Sequence, residues 1–204
     1  MNQNPEKHLI LADPILGSFI KLNIMEPRKK SRRTHLESLV EVIVSQQLSV
    51  KAADTIYARF LALFPNKKFP KPEVILRTND SKMRAAGLSY QKISYIKDVC
   101  SKVIAKEVRL NSLNRMTDEE VIAELVKIKG IGRWTAEMFL MFSLMRPDVF
   151  SNGDLGLRNA IIKLYKLKKP PTEKQLERIT KKWSPHRTTA SRYLWKSLNN
   201  TPNQ

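Results

Sequence analysis

Cysteine is nearly absent from this chain of 204 residues, where Cys100 stands alone. A single thiol excludes an intramolecular disulfide, a cysteine-ligated iron–sulfur cluster and any thiolate-cluster zinc site. It suits a reducing interior. Histidine is also scarce: His8, His35 and His186 are too scattered to mark a metal site. No apolar run is long enough to span a bilayer, and the polar stretch from Met1 to Lys7 lacks the apolar core of a secretory leader. The expectation is a soluble intracellular protein without membrane contact, in a bacterial cytoplasm or nucleoid or in a nucleus. Acidic residues are few as well, with 19 Asp plus Glu against 37 Lys plus Arg and a formal charge of +18. That excess points to a polyanionic partner whose phosphates supply salt-sensitive affinity. The basic residues spread along the chain instead of forming one juxtamembrane block, which favours nucleic acid over a lipid surface. The length fits one domain over residues 1–204, or two subdomains sharing a cleft, with a hydrophobic core that needs no disulfide staple.

Alternating patterns, internal repeats and low-complexity tracts are missing too, and what remains reads as helix throughout. Thr34 with Glu37 spells a capping box ahead of Leu36, Leu39, Val40, Ile43 and Val44. Ser49 can cap a second helix with the stripe Ala52, Ala53, Ile56, Tyr57 and Phe60, and the polar junction Ser45-Gln46-Gln47-Leu48 lies between the two. Pro65 and Pro70 break the chain, and a short helix from Ser81 to Ala86 stops at Gly87. Ser89 opens a helix carrying Ile93, Ile96, Val99, Val103 and Ile104, and Thr117 with Glu120 makes another capping box. Beyond it, Thr135 to Leu144 is strongly apolar and ends at Pro147 and the Ser151-Asn152-Gly153 turn. Leu155 to Tyr165 reads as a helix, Thr172 with Gln175 caps the next, and Ser184-Pro185 opens the last with proline in its first turn. The fold class is all-α.

The most informative segment is Leu125-Val126-Lys127-Ile128-Lys129-Gly130-Ile131-Gly132-Arg133-Trp134-Thr135-Ala136. Two glycines around Ile131 permit a tight hairpin with exposed backbone, and the second helix then begins with N–H groups that bind phosphate well. Gly130 and Gly132 let a DNA strand approach without a Cβ collision, and Ile131 would bury itself to lock the turn. This string resembles the hairpin of the helix-hairpin-helix DNA glycosylases, above all the 3-methyladenine DNA glycosylase II branch. The likeness runs from about Leu36 to Trp195, without the amino-terminal β-sheet domain of some members. It implies a two-lobed helical fold with the hairpin at about 118–144, a catalytic loop at 147–155 and DNA in the cleft between lobes. It also implies a sodium or potassium ion on the backbone carbonyls of Val126, Ile128 and Gly130, with no other cofactor required.

By the same resemblance, Asp154, 20 positions after Trp134, is the catalytic aspartate. Cleavage of an N-glycosidic bond builds positive charge on C1′, which a carboxylate stabilises while it orients or deprotonates water. The start of the following helix favours negative charge there. Asp154 is equally well placed to N-cap that helix, and Asp148 reads as a loop or capping residue. Related enzymes that also nick the strand carry a nucleophilic lysine where Trp134 stands. An indole forms no Schiff base, so the expectation is monofunctional chemistry that leaves an abasic site intact.

A base must leave the stack before excision. Trp134 suits a cationic alkylated purine, for which an indole face is worth about 1–2 kcal/mol when desolvated. By matched register Met138 and Trp195 line the same pocket, although both also read as helix core. Gln47 holds the position of the residue that family members insert into the duplex, and it reads alternatively as a helix cap. Tyr90, Gln91 and Lys92 resemble a second loop that approaches the opposite strand. Lys127, Lys129 and Arg133, with Gly130 and Gly132, are the expected phosphate contacts. The run Arg28-Lys29-Lys30 with Arg32-Arg33 adds at most non-specific attraction, Trp183 reads as core, and Arg187 is structural or phosphate-facing. The expected activity is monomeric excision of alkylated purines, such as 3-methyladenine and 7-methylguanine, from double-stranded DNA containing damaged bases. The alternatives are the same scaffold acting on hypoxanthine, ethenoadenine or a mismatched pyrimidine, a non-catalytic binder of damaged DNA, and a basic scaffold for RNA.

Overall fold

The structure is a computed structural model that describes residues 4–27 and 31–199. Among these residues every regular element is helical. In chain order the α-helices are α1 (Pro5–Ala12), α2 (Pro14–Leu22), α3 (His35–Ser45), α4 (Val50–Leu61), α5 (Pro72–Arg77) and α6 (Asp80–Ala85). They continue with α7 (Tyr90–Ile104), α8 (Asp118–Leu125), α9 (Arg133–Phe142), α10 (Leu155–Leu164), α11 (Glu173–Lys181) and α12 (Arg187–Asn199). Single 3-10 segments lie at Pro65–Lys67 and Leu110–Arg115. No helix among the described residues is long and apolar enough to cross a membrane. The chain forms two compact units, one of residues 1–30 and 145–204 and the other of residues 31–144.

The unit of residues 31–144 is built on α3, which packs on α4, α7 and α9, while α5 and α6 lie on α7 and α8 lies on α9. Its core is made by the apolar stripes expected of these helices: Leu39, Val40, Ile43, Phe60, Ile96, Val99 and Phe139 are fully buried. The stripe of α7 turns one residue earlier than its sequence implied. Cys100 is buried and Ile104 is 42% exposed.

In the other unit, Leu9, Leu16 and Ile20 from the amino-terminal helices join Leu157, Ile161, Trp183 and Leu194 in one cluster. Trp183 is fully buried, as its sequence context implied. Its indole N–H donates to Asp13 Oδ2 at 3.0 Å, and the Tyr165 hydroxyl donates to the same oxygen. Asp13 Oδ1 accepts the N–H groups of Ile15 and Leu16 and so caps α2. A buried carboxylate is tolerable only when satisfied in this way. The result is a seat for the end of α10 at Tyr165, a helix whose N-cap is Asp154.

Local capping signals hold where both partners are local. Thr117 with Glu120 and Thr172 with Gln175 form complete boxes. Thr34 makes only its own half, accepting from Glu37 N at 3.2 Å. The Glu37 carboxylate turns instead to the Tyr57 hydroxyl and the Arg33 guanidinium. The last helix starts at Arg187, so Pro185 precedes it and does not sit in its first turn. Of the basic run, Arg28 to Lys30 lie outside the described residues, whereas Arg33 pairs with Glu37 and Glu41.

Candidate functional site

The hairpin between α8 and α9 closes through two short backbone bonds, Ile128 N to Leu125 O at 3.0 Å and Ile131 N to Ile128 O at 3.1 Å. Ile128 and Ile131 bury their side chains beneath the turn. The two glycines serve different ends. Gly130 has φ +78°, and a Cβ there would stand 2.2 Å from the Tyr95 ring, so the protein's own packing requires it. Gly132 has extended backbone, and nothing lies within 4 Å of a Cβ added to it. Its lack of a side chain leaves open the approach to the start of α9, where no side chain caps the helix. Backbone N–H groups presented in this way suit an anion.

The three hairpin cations have different surroundings. Lys127 donates to Glu124 Oε2 at 2.7 Å, and that carboxylate is 4% exposed. Burial would raise the Glu124 pKa, but the bonds from Lys127 and from the Arg109 backbone and side chain outweigh it and hold it at about 2. Arg133 forks onto both oxygens of Glu119 and reaches Glu137 Oε1 at 3.0 Å. Arg133 and Glu119 are 59% and 71% exposed, and such surface pairs contribute little and are screened by salt. Lys129 is exposed beside the turn. The structure thus gives Lys127 a buried carboxylate partner, and gives Arg133 a buried one in Glu137 beside an exposed, exchangeable one in Glu119.

A concavity of about 1040 Å³ opens beside the hairpin, and its lining includes Gln46, Gln47, Tyr95, Gly130, Trp134 and Met138. Trp134, at the second position of α9, is 49% exposed, and Met138 follows one turn later on the same face. Gln47 lies at the α3–α4 junction with φ +57°, a left-handed conformation that non-glycine residues rarely adopt. Gln46, which the sequence reading passed over, donates its amide to Gly130 O at 2.9 Å and ties that junction to the hairpin. Gln91 and Lys92 also line the concavity. The Lys92 ammonium donates to Val44 O at 2.6 Å, and burial lowers its pKa. Tyr90 does not line it; its exposed ring lies under the Arg84 guanidinium at 4.8 Å. Two of the three carbonyls expected to hold an alkali cation already accept protein N–H groups, Ile128 from Ile131 and Gly130 from Gln46. Each carbonyl has a second lone pair, and neutral backbone oxygens suit a sodium or potassium ion.

Asp154 belongs to the other unit and is 7% exposed. Its Oδ1 accepts the Leu157 N–H at 2.7 Å, capping α10, and the Trp195 indole N–H at 3.1 Å. Behind it, Asp154 N donates to Ser151 O at 3.1 Å and closes the turn. Capping, the bland reading of this residue, is therefore real and also fixes where the carboxylate stands. Trp195, expected to line a pocket, packs partly on the core cluster and spends its polar edge on Asp154. Gly156 matters as well, because a Cβ there would lie 3.1 Å from Asp154 Oδ1 and 3.3 Å from the Trp195 ring. Asp148 is a capping residue, as expected. It takes Arg187 Nε at 2.8 Å, the Arg187 N–H and the Ser184 hydroxyl, and Arg187 is accordingly structural.

Comparison with known proteins agrees with this anatomy. Residues 40–186 match the HhH-GPD superfamily base excision DNA repair protein family. The chain is 38% identical over 195 residues to DNA-3-methyladenine glycosylase 1 of Schizosaccharomyces pombe, an alignment that spans 94% of this chain and 86% of that protein. Among solved structures, a 3-methyladenine DNA glycosylase of Schizosaccharomyces pombe in complex with abasic DNA superposes with a TM-score of 0.85 at 36% identity. It covers 99% of this chain and 100% of its own. A DNA-3-methyladenine glycosidase from Bacillus halodurans gives a TM-score of 0.83 at 39% identity, covering 98% of this chain and 91% of its own.

Proposed function

Because this chain belongs to the helix-hairpin-helix superfamily of base excision DNA repair proteins, we propose that it hydrolyses the N-glycosidic bond of alkylated purines in duplex DNA. Its relatives named for 3-methyladenine support that substrate class. The observation that carries the reading is Asp154, a nearly buried carboxylate held by a helix start and an indole N–H. As the bond from C1′ to the purine nitrogen breaks, positive charge grows on the sugar. A carboxylate already fixed in place stabilises that charge without reorganising. Asp154 then takes a proton from the water whose oxygen bonds to C1′. A purine alkylated at N3 or N7 is cationic before cleavage and departs as a neutral base, so no general acid is required.

The other roles follow the surroundings of each residue. Trp134, half exposed in the concavity with Met138 behind it, offers an indole face to an electron-poor base. No lysine stands at that position, so the reaction ends at an intact abasic site. Gln47, held in a left-handed conformation beside the concavity, fills the space of the flipped nucleotide. Backbone strain at an exposed junction fits a functional wedge better than a helix cap. The uncapped start of α9 at Gly132, with Gly130 and Lys129, receives the phosphates, and Arg133 can exchange Glu119 for one. A sodium or potassium ion on Val126, Ile128 and Gly130 would add positive charge at the same backbone. The protein acts as a monomer.

Release of free methylated purines from alkylated duplex DNA tests this reading. Wild type releases base, and Asp154→Asn loses at least about 100-fold in rate while still binding abasic duplex. If Asp154→Asn works at the wild-type rate, the carboxylate assignment is wrong. If neither protein releases base from this or other lesions, the chain is a binder of damaged DNA.

A further inference from the structure

One face of α7 grips the hairpin backbone, residue by residue. Gln91, Tyr95, Asp98 and Lys102 follow at spacings of four, three and four, a single stripe along a helix. Gln91 Nε2 donates to the Tyr95 hydroxyl at 2.7 Å, and the Tyr95 ring fills the space where Gly130 has no Cβ. Asp98 Oδ2 accepts the backbone N–H of Lys129 at 2.9 Å. Lys102 donates to Asp98 Oδ2 at 2.9 Å and to the backbone carbonyl of Lys127 at 2.5 Å. Asp98 and Lys102 are mostly buried, with side chains 13% and 20% exposed. Alternate backbone groups of the turn are therefore fixed from behind by an ion pair that has no place in binding a base or in hydrolysis.

We infer that the Asp98–Lys102 pair is a positioning device for DNA binding, one that holds the hairpin in its phosphate-receiving shape before DNA arrives. This rests on the reading of the hairpin as the phosphate clamp. A preformed turn avoids the cost of ordering it on binding, so losing the pair weakens affinity and leaves the chemical step alone. The sign of the effect separates this role from that of a bystander. A carboxylate close to a phosphate-binding turn repels DNA, so deleting a bystander charge tightens binding. Deleting a positioning charge loosens it.

The experiment compares wild type with Asp98→Ala on a duplex carrying a stable abasic-site analogue, and then in single-turnover excision on methylated duplex at saturating enzyme. Losing a hydrogen bond to a charged group corresponds to about tenfold in affinity. The dissociation constant is expected to rise by about that factor while the maximal excision rate stays within about twofold. Amide hydrogen exchange at Lys129 should accelerate in parallel. Unchanged or tighter binding, or a loss confined to the maximal rate, overturns the proposal. Asp98→Asn, whose amide oxygen can still accept the Lys129 N–H, should fall between the two. If Asp98→Ala yields no folded protein, Asp98→Asn carries the same test, with weaker binding supporting the proposal and wild-type or tighter binding overturning it. Affinity is read on a duplex with no base to excise. A wild type that releases no purine would therefore refute the hydrolytic reading and leave this pair to be judged on binding alone.

Discussion

Trp195 and Asp154 are 41 positions apart and share one hydrogen bond, to the oxygen that also caps α10. Trp195→Phe keeps an aromatic ring, though a smaller one, and deletes the donor. The expected result is a drop of about tenfold in excision rate with unchanged affinity for abasic duplex, measured by single-turnover kinetics. If Trp195 serves only as pocket wall, the substitution leaves the rate near wild type. The capping role of Asp154 was legible in the sequence, because a turn followed by a helix start can be read from neighbours, whereas its catalytic role was implied by the family resemblance alone. The indole donor was not legible, since nothing local to Trp195 says which way its N–H points. Gly156 was invisible for the same reason: its missing Cβ matters only once Trp195 lies over the first turn of α10. Buried polar partners are long-range facts, and a single sequence carries them only as residue types.

The hairpin makes a sharper prediction through its cations, because phosphate contacts and protein ion pairs respond differently to salt. Each phosphate contact removed should lower the slope of log affinity against log salt by about one. Lys129→Ala should show this, and Arg133→Ala in part, since its exposed pair with Glu119 can be exchanged. Lys127→Ala should leave the slope unchanged and lower the melting temperature, because it strands Glu124 without its ammonium partner. Equal slopes for all three variants would remove the distinction. Elements with local rules were read well: α4, α7, α8 and α11 each begin at the Ser or Thr expected to cap them. The short helices opened by Pro5, Pro14 and Pro72 were missed, since each is too brief to show a periodic stripe. Glu37 shows how a local rule loses, because Arg33 and Tyr57 offer its carboxylate more than the Thr34 backbone does.

Stability against acid follows from Glu124, whose carboxylate is held at about 2 against an ordinary 4.5. A folded pKa below the unfolded one gives stability that is fully present above about pH 4.5 and is lost as pH falls toward 2. Glu124→Gln should flatten that acid limb in chemical denaturation at stepped pH and lower stability near neutrality by about 1–3 kcal/mol. An unchanged acid limb would show that other carboxylates carry it. All-helical class, basic character and hairpin were readable from composition and motif and two lobes were implied by resemblance, whereas the positions at which the chain divides were not. Residues 31–144 form one unit without interruption, but the other is made from residues 1–30 and 145–204. Its core needs Leu9 and Leu16 from the start together with Trp183 and Leu194 from late in the chain. During synthesis, the hairpin unit has its whole sequence once residue 144 has left the ribosome. The seat of Asp154 must wait for α12 to return and close over α1 and α2. A nascent chain thus has the whole sequence of its hairpin unit before the last helix closes the seat of Asp154.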